Sequence, residues 1–182
     1  MSTAIGAPRE SVWHMLTAVA EIVRWNPLLT AALKIPGAYP ITGQQALWRC
    51  RLGNIPLVLH EHLHEVVLGE RLHSHCSLGV GRFRFEAIYA LDTPVGSTAQ
   101  TRLYLKFAAP NSVPLTAGHL DRFSLRRFAT ELVSTSLRRL RECCETSAGA
   151  EVRCEALPSP TGKDRENARA RVKRGRIPRI RP

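Results

Sequence analysis

Apolar residues first recur at helical spacing. Val12, Trp13, Leu16, Val19, Ala20 and Val23 return every three or four positions after Pro8, a residue suited to the first turn of a helix. This spacing predicts a helix over 8–20 and a short further turn to Trp25. Asn26-Pro27 ends it, because proline disfavours helix in the residue before it. The period then changes to two. Strand-like segments are predicted at 31–35, 43–52, 57–67, 70–80, 82–91 and 98–107. Pro36-Gly37, Gly53-Asn54, Gly69, Gly81 and the run from Asp92 to Gly96 separate them. Connections this short suit antiparallel hairpins, since parallel strands need long crossovers. A helix is predicted last, over 117–145, with an apolar stripe of Leu125, Phe128, Ala129, Leu132, Val133, Ser136, Leu137 and Leu140.

Side chains alternate along a strand, so each segment divides into two faces. One face is largely apolar: Trp48, Cys50, Leu57, Leu59, Leu63, Leu72, Cys76, Phe83, Phe85, Tyr89, Leu103, Leu105 and Phe107, with Glu61 and Glu65 among them. The other carries Arg49, Arg51, Arg71, Arg82, Arg84, Arg102 and Lys106 beside His60, His62, His64, His73 and His75. Hairpin registers that keep apolar opposite apolar pair Leu52 with Leu57, Leu68 with Arg71, Gly79 with Arg82 and Leu91 with Ala99. They set Trp48 opposite Glu61, Leu63 opposite Cys76, Cys76 opposite Phe85 and Phe85 opposite Leu105. The apolar face needs a cover, and the last helix is the only long element that can supply one. A helix about 10 Å wide is narrower than a sheet of about six or seven strands spaced ~4.8 Å apart, so a hollow between them is geometrically natural. Whether side chains fill it or a ligand enters it stays open at this level.

The expectation is thus an α+β fold: a curved antiparallel sheet of about six to seven strands wrapped around a long C-terminal helix. The element order and several residues resemble the polyketide cyclase/dehydrase-like branch of the START/SRPBCC, or helix-grip, superfamily. The matching positions are Ala7-Pro8, Glu10, Val12-Trp13, Trp25-Asn26-Pro27, Gly43, Glu65-Val66, Gly96-Ser97-Thr98 and the long terminal helix, over residues 4–146. The resemblance implies a hydrophobic cavity between sheet and helix. Members bind lipids, sterols, polyketides, hormones or other apolar molecules, and some are cyclases, dehydratases or hydrolases. The superfamily has no shared catalytic signature, so no catalytic residue is transferred. Such proteins usually open with a full strand before Ala-Pro, and only 1–6 precede it here; a clipped or lost first strand is expected.

Composition adds an asymmetry of charge. The formal net charge is +11, but residues 153–182 hold 10 Lys/Arg against 3 Asp/Glu while residues 1–152 hold 16 against 12. The expected division is a helix-grip domain over 1–146 and a disordered basic tail over 147–182, too poor in apolar residues to offset its ordering entropy. A basic balance favours anionic partners, so weak contact with nucleic acid or an anionic membrane through the tail and the basic sheet face is the alternative function class. No apolar run approaches ~18 residues, which leads to the expectation of a cytoplasmic protein with no transmembrane segment. Five cysteines with no CxxC pair fit reduced thiols.

The candidate cavity residues are Trp48, Leu59, Glu61, Leu63, Glu65, Cys76, Phe83, Phe85, Tyr89, Leu103 and Leu105 from the sheet, with Phe128 and Leu132 from the helix. Glu61 and Glu65 draw attention because a carboxylate on an apolar face is costly unless paired or protonated. They are either a cavity acid/base or groups near the mouth, solvated or paired with arginine. Trp48 and Tyr89 would offer a stacking surface and a phenol. Neighbouring imidazoles on the other face could ligate zinc or copper. The plainer reading is an exposed polar face, and neither metal nor cofactor is expected. The leading function is binding of a hydrophobic small molecule, with a cyclase- or dehydratase-type step on it left open.

Overall fold

The computed structural model describes residues 1–52, 54–79, 83–109 and 122–155, with the side chains of 122–126, 128 and 148–155 outside that description. Within residues 1–148, two short helices and a last long one accompany a seven-stranded antiparallel sheet. The elements are β1 (Ser2–Ile5), α1 (Arg9–Thr17), α2 (Val19–Trp25), β2 (Leu29–Lys34), β3 (Gln45–Leu52), β4 (Ile55–Val67), β5 (Arg71–Leu78), β6 (Phe83–Asp92), β7 (Thr101–Ala108) and α3 (Arg122–Glu155). The spatial order is β1-β7-β6-β5-β4-β3-β2. The meander over β2–β7 thus matches the expectation, and β1 returns to close the far edge.

β1 is the short form of the expected clipped or lost first strand. Four residues suffice because they are held twice. Ser2–Ile5 pair with Tyr104–Thr101, and Met1 exchanges backbone hydrogen bonds with Leu105 at 2.9 Å each way. The buried Thr101 hydroxyl then donates to the Ala7 carbonyl at 2.8 Å, fixing the exit from β1 into α1.

The first helix ends sooner than its apolar period suggested. Ala18 is extended, at φ −73° and ψ 119°, so α1 and α2 are separate. The Thr17 hydroxyl bonds back to the Trp13 carbonyl at 2.8 Å, a local competitor to the helical ladder. Trp25 then staples the two helices by donating its indole N–H to the Met15 carbonyl at 2.7 Å, deep in the core. Trp13 is also buried.

Strand faces agree with the alternation except beyond one point, and the registers differ. The tight β3–β4 turn pairs Leu52 with Ile55, so Trp48 faces Leu59 and Glu61 faces Ala46. The β4–β5 turn spans Leu68-Gly69-Glu70, with Gly69 at φ 71° and Glu70 N–H bonded to the Val67 carbonyl at 2.9 Å. This pairs Val67 with Arg71, Glu61 with Cys76 and Leu63 with Ser74. Cys76 does face Phe85. Tyr89, not Phe85, faces Leu105. The β3–β4 and β6–β7 offsets from the expected partners are even, so the inward set there survives. A β-bulge between Leu63 and Glu65 makes the exception. It inserts His64 as the extra residue, so that Glu65 pairs with His73 and Val66 with Leu72. From there the faces exchange: Val66 packs against the core, and Glu65 turns outward to bond Arg71 at 3.5 Å.

On α3, Val133, Leu137, Leu140 and Cys144 recur at helical spacing and are buried in the core. Each large aliphatic among them contributes about 1.5–3 kcal/mol by leaving water. Glu145 accepts from the Gly6 backbone N–H at 3.2 Å and from Arg141 at 2.9 Å, which brings the helix to the end of β1. Those two bonds hold its carboxyl below the usual range. The helix continues to Glu155, past the expected end at Glu145. The expected helix start at Ala117, and the expected tail beyond 155, lie outside the described residues. Cys50, Cys76, Cys143 and Cys144 are free thiols.

Candidate ligand cavity

The inward face of the sheet, the short helices and α3 enclose a cavity of about 70 Å³. Leu16, Ile22 and Trp25 form one wall, and Leu132, Val133 and Ser136 of α3 form the opposite one. The sheet supplies the floor. Of the sequence-predicted residues, Trp48, Leu59, Glu61, Cys76, Phe85, Tyr89, Leu105 and Leu132 lie in its lining. Leu63 and Leu103 are wholly buried but belong to the core beside it. Phe83 is partly buried and packs its ring on Phe85, 5.7 Å between centroids, without reaching the cavity. Glu65 is corrected to the outward face, for the bulge reason given above. Phe128 falls on α3, and its side chain is outside the described residues.

The polar centre of the lining is Glu61. Its Oε2 accepts from the Trp48 indole N–H at 2.9 Å and from the Tyr39 hydroxyl at 3.1 Å. No Lys, Arg or His lines the cavity among the described residues, so the carboxylate has no counter-charge there. Burial pushes its pKa above the ordinary carboxylate value, and the hydrogen bonds from Trp48, Tyr39 and Ser74 only partly offset this. Desolvation therefore wins and favours the neutral acid. The neighbours follow the same logic. Burial, then the Glu61 charge, raises the Tyr39 phenol; burial, then Cys76 and Glu61, raises the Tyr89 phenol. The Cys76 thiol is raised by burial and by Glu61, with its Sγ 3.8 Å from the Ser74 hydroxyl. Tyr39, Tyr89 and Cys76 are uncharged near neutral pH, and Cys76 is no thiolate nucleophile.

Aromatic rings complete the shape. Tyr39 meets Trp48 edge-on at 6.0 Å, Trp25 meets Tyr89 edge-on at 6.2 Å, and Phe85 stacks on Phe107 at 4.7 Å. Tyr39 was missed by the sequence reading. It sits in the connection between β2 and β3, where no strand alternation assigns a face. Phe107 was on the predicted inward face and needed only the register to place it.

A second depression, of about 710 Å³, runs across β3 to β7; His60, His62, His75, Ser77, Arg84 and Glu86 line it together with Ala46, Glu61, Cys76 and Phe85, and the last three also line the smaller cavity. Arg49, Arg51, Arg71, Arg84, Arg102 and Lys106 are all exposed at outward strand positions, and Arg82 lies outside the described residues.

No protein-family model matches the chain, and no curated protein matches its sequence. Solved structures do match its fold. A START superfamily protein from Mycobacterium smegmatis superposes with a TM-score of 0.64 at 13% identity, over 80% of this chain and 95% of that one. The Zhui aromatase/cyclase from Streptomyces sp. R1128 gives 0.63 at 14%, over 80% and 91%. Ginseng major latex-like protein 151 from Panax ginseng gives 0.56 at 9%, over 79% and 94%. The chain therefore has the α+β helix-grip fold of the START/SRPBCC proteins, a curved sheet with a long C-terminal helix. No helix among the described residues is long and apolar enough to cross a membrane.

Proposed function

We propose that the protein binds a small hydrophobic molecule carrying one hydroxyl or carbonyl oxygen, with the apolar body between sheet and α3 and the oxygen at Glu61. The observation that carries this reading is a carboxyl with no counter-charge in an otherwise apolar and aromatic lining. Stability alone does not favour a carboxyl there, since an apolar residue would avoid the desolvation cost. The Trp48 and Tyr39 donors both use Oε2. The neutral acid would donate its proton to a ligand oxygen. A cyclase- or dehydratase-type step on the ligand would use the same proton, as a general acid.

The volume sets a condition on the guest. About 70 Å³ is room for roughly two waters. Pockets for drug-sized ligands run to about 300–1,000 Å³. A larger guest enters by displacing side chains, and the stacked Phe85–Phe107 pair in the lining is the movable bulk.

The test uses the full chain and the fluorescent apolar probe 1-anilinonaphthalene-8-sulfonate, with thermal unfolding in parallel. The native protein should take up the probe saturably, and Phe85→Ala should take it up more tightly. Ala87→Leu, which fills the lining from β6, should weaken uptake with the fold intact. Absence of uptake by the native protein, or uptake indifferent to both substitutions, overturns the reading.

A second reading rests on the exposed cations of β3, β5, β6 and β7, of which only Arg71 is ion-paired among the described residues. They would bind a polyanion such as nucleic acid or an anionic membrane. Its signature is affinity that falls steeply with salt and is insensitive to Ala87→Leu.

A further inference from the structure

We propose that His73, His75 and Glu86, with His64 beside them, form a site for a divalent transition metal of the zinc type, on the face of the sheet opposite the cavity.

The placement follows from strand geometry. His73 and His75 are two apart on β5 and both point outward, and Glu86 on β6 is the register partner of His75. Their ligand atoms all lie within 4.8 Å of one another. The Glu86 carboxylate spans the two imidazoles, with one oxygen 3.9 Å from His73 Nε2 and the other 3.7 Å from His75 Nε2. Tetrahedral zinc with bonds of about 2.0–2.2 Å sets its donors about 3.3–3.6 Å apart. Small side-chain rotations close the remaining gap.

Two further observations single out this cluster from an ordinary polar face. His73 Nε2 is buried and has no hydrogen-bond partner, the one such side-chain atom among the described residues. A buried ring nitrogen left without a partner is costly, and a metal ion would satisfy it. The bulge also delivers a third imidazole. As the extra residue on β4, His64 points outward, its ring 4.8 Å from His75 and 5.0 Å from His73. It is placed to supply the fourth ligand on rotation from its stacked position. Three imidazoles and one carboxylate are donors that zinc accepts, and imidazole-rich sets also suit copper and nickel. Glu86 supplies negative charge against the cation in a neighbourhood that also holds Arg84. None of these residues reaches the cavity lining, so the site stands or falls independently of the proposed ligand.

Titration calorimetry of the full chain with zinc chloride in a non-coordinating buffer near neutral pH tests this. The native protein should bind one equivalent. His75→Ala and Glu86→Gln are half-exposed positions that should fold normally. Each should weaken binding more than about tenfold, at least the cost of losing an outer-sphere partner. His60→Ala should change nothing. Cobalt chloride should produce visible d–d absorption of a four-coordinate ion, absent in His75→Ala. No zinc binding, or binding unchanged by both His75→Ala and Glu86→Gln, overturns the proposal. Equal weakening by His60→Ala overturns it also, because the ligands would then lie elsewhere on the histidine face.

Discussion

The Trp48 indole nitrogen donates to Glu61 Oε2 over 2.9 Å although the two residues are not register partners. They are diagonal neighbours on one face of the β3–β4 pair, a separation that long side chains span. Ala46 stands directly opposite Glu61, and its small side chain leaves the space through which the carboxyl and the indole meet. The buried carboxyl is thus held by a hairpin and by Tyr39 from the connection before it.

Glu61 should make stability fall as pH rises. Its folded pKa lies above the ordinary value of 4.5, so the folded state holds the proton more tightly than the unfolded state does. The contribution is complete below the unfolded pKa and is lost as pH rises through the raised folded pKa. Glu61→Gln keeps a neutral group of the same shape and should remove this slope. Urea unfolding across that window should show the variant gaining on the native protein toward the alkaline end. Parallel curves for the two proteins would refute a raised Glu61 pKa.

Trp48→Phe keeps an aromatic ring but removes one donor. The carboxyl loses a bond that holds its pKa down, so the window above should move to higher pH. A stability loss of about 1–3 kcal/mol should accompany it, from the lost hydrogen bond and the vacated volume. Chemical denaturation of the single and double variants with Glu61→Gln should show non-additivity, since the two side chains are in contact.

Glu65 offers the contrasting case. If the bulge turns it outward, Glu65→Ala removes only an exposed pair with Arg71. Stability should then change by no more than about 0.5 kcal/mol, and probe uptake should be unaltered. A large loss of uptake would restore Glu65 to the cavity.

Thr101 tests the closing edge. Its hydroxyl is fully buried and bonds the Ala7 carbonyl. Thr101→Val is nearly isosteric but leaves that carbonyl without its donor, at a cost of about 1–3 kcal/mol. Hydrogen exchange should show the added opening in β1 and the adjoining part of β7, with β4 and β5 protected as before.

Several features of this fold were legible in the chain itself. The apolar alternation in β3 to β7 identified strands, their short turns made them antiparallel, and the stripe at Leu132, Val133, Leu137 and Leu140 identified the covering helix. Parity tolerated wrong registers: placing Leu105 opposite Phe85 instead of Tyr89 moved it along the sheet without turning it over. Parity did not tolerate the bulge at His64, because one inserted residue exchanges the faces of everything after it until the turn. Nothing in the alternation marks such an insertion. Tyr39 was equally hidden, since a residue in a long connection has no period to be read from.

By itself the amino-acid order determined which residues share a side of the sheet wherever no bulge interrupts a strand, because alternation is a property of covalent geometry within one strand. Only the tertiary structure decided what those sides contain. Turn closure and strand pairing chose Ala46 to stand opposite Glu61 and brought Tyr39 to its carboxyl. The side chains of the sheet, the short helices and α3 together leave a hollow of about 70 Å³. Strand pairing set the rings of His64, His73 and His75 within 4.8–5.0 Å of one another. These are relations between strands distant along the chain, and their distances depend on how the whole sheet closes.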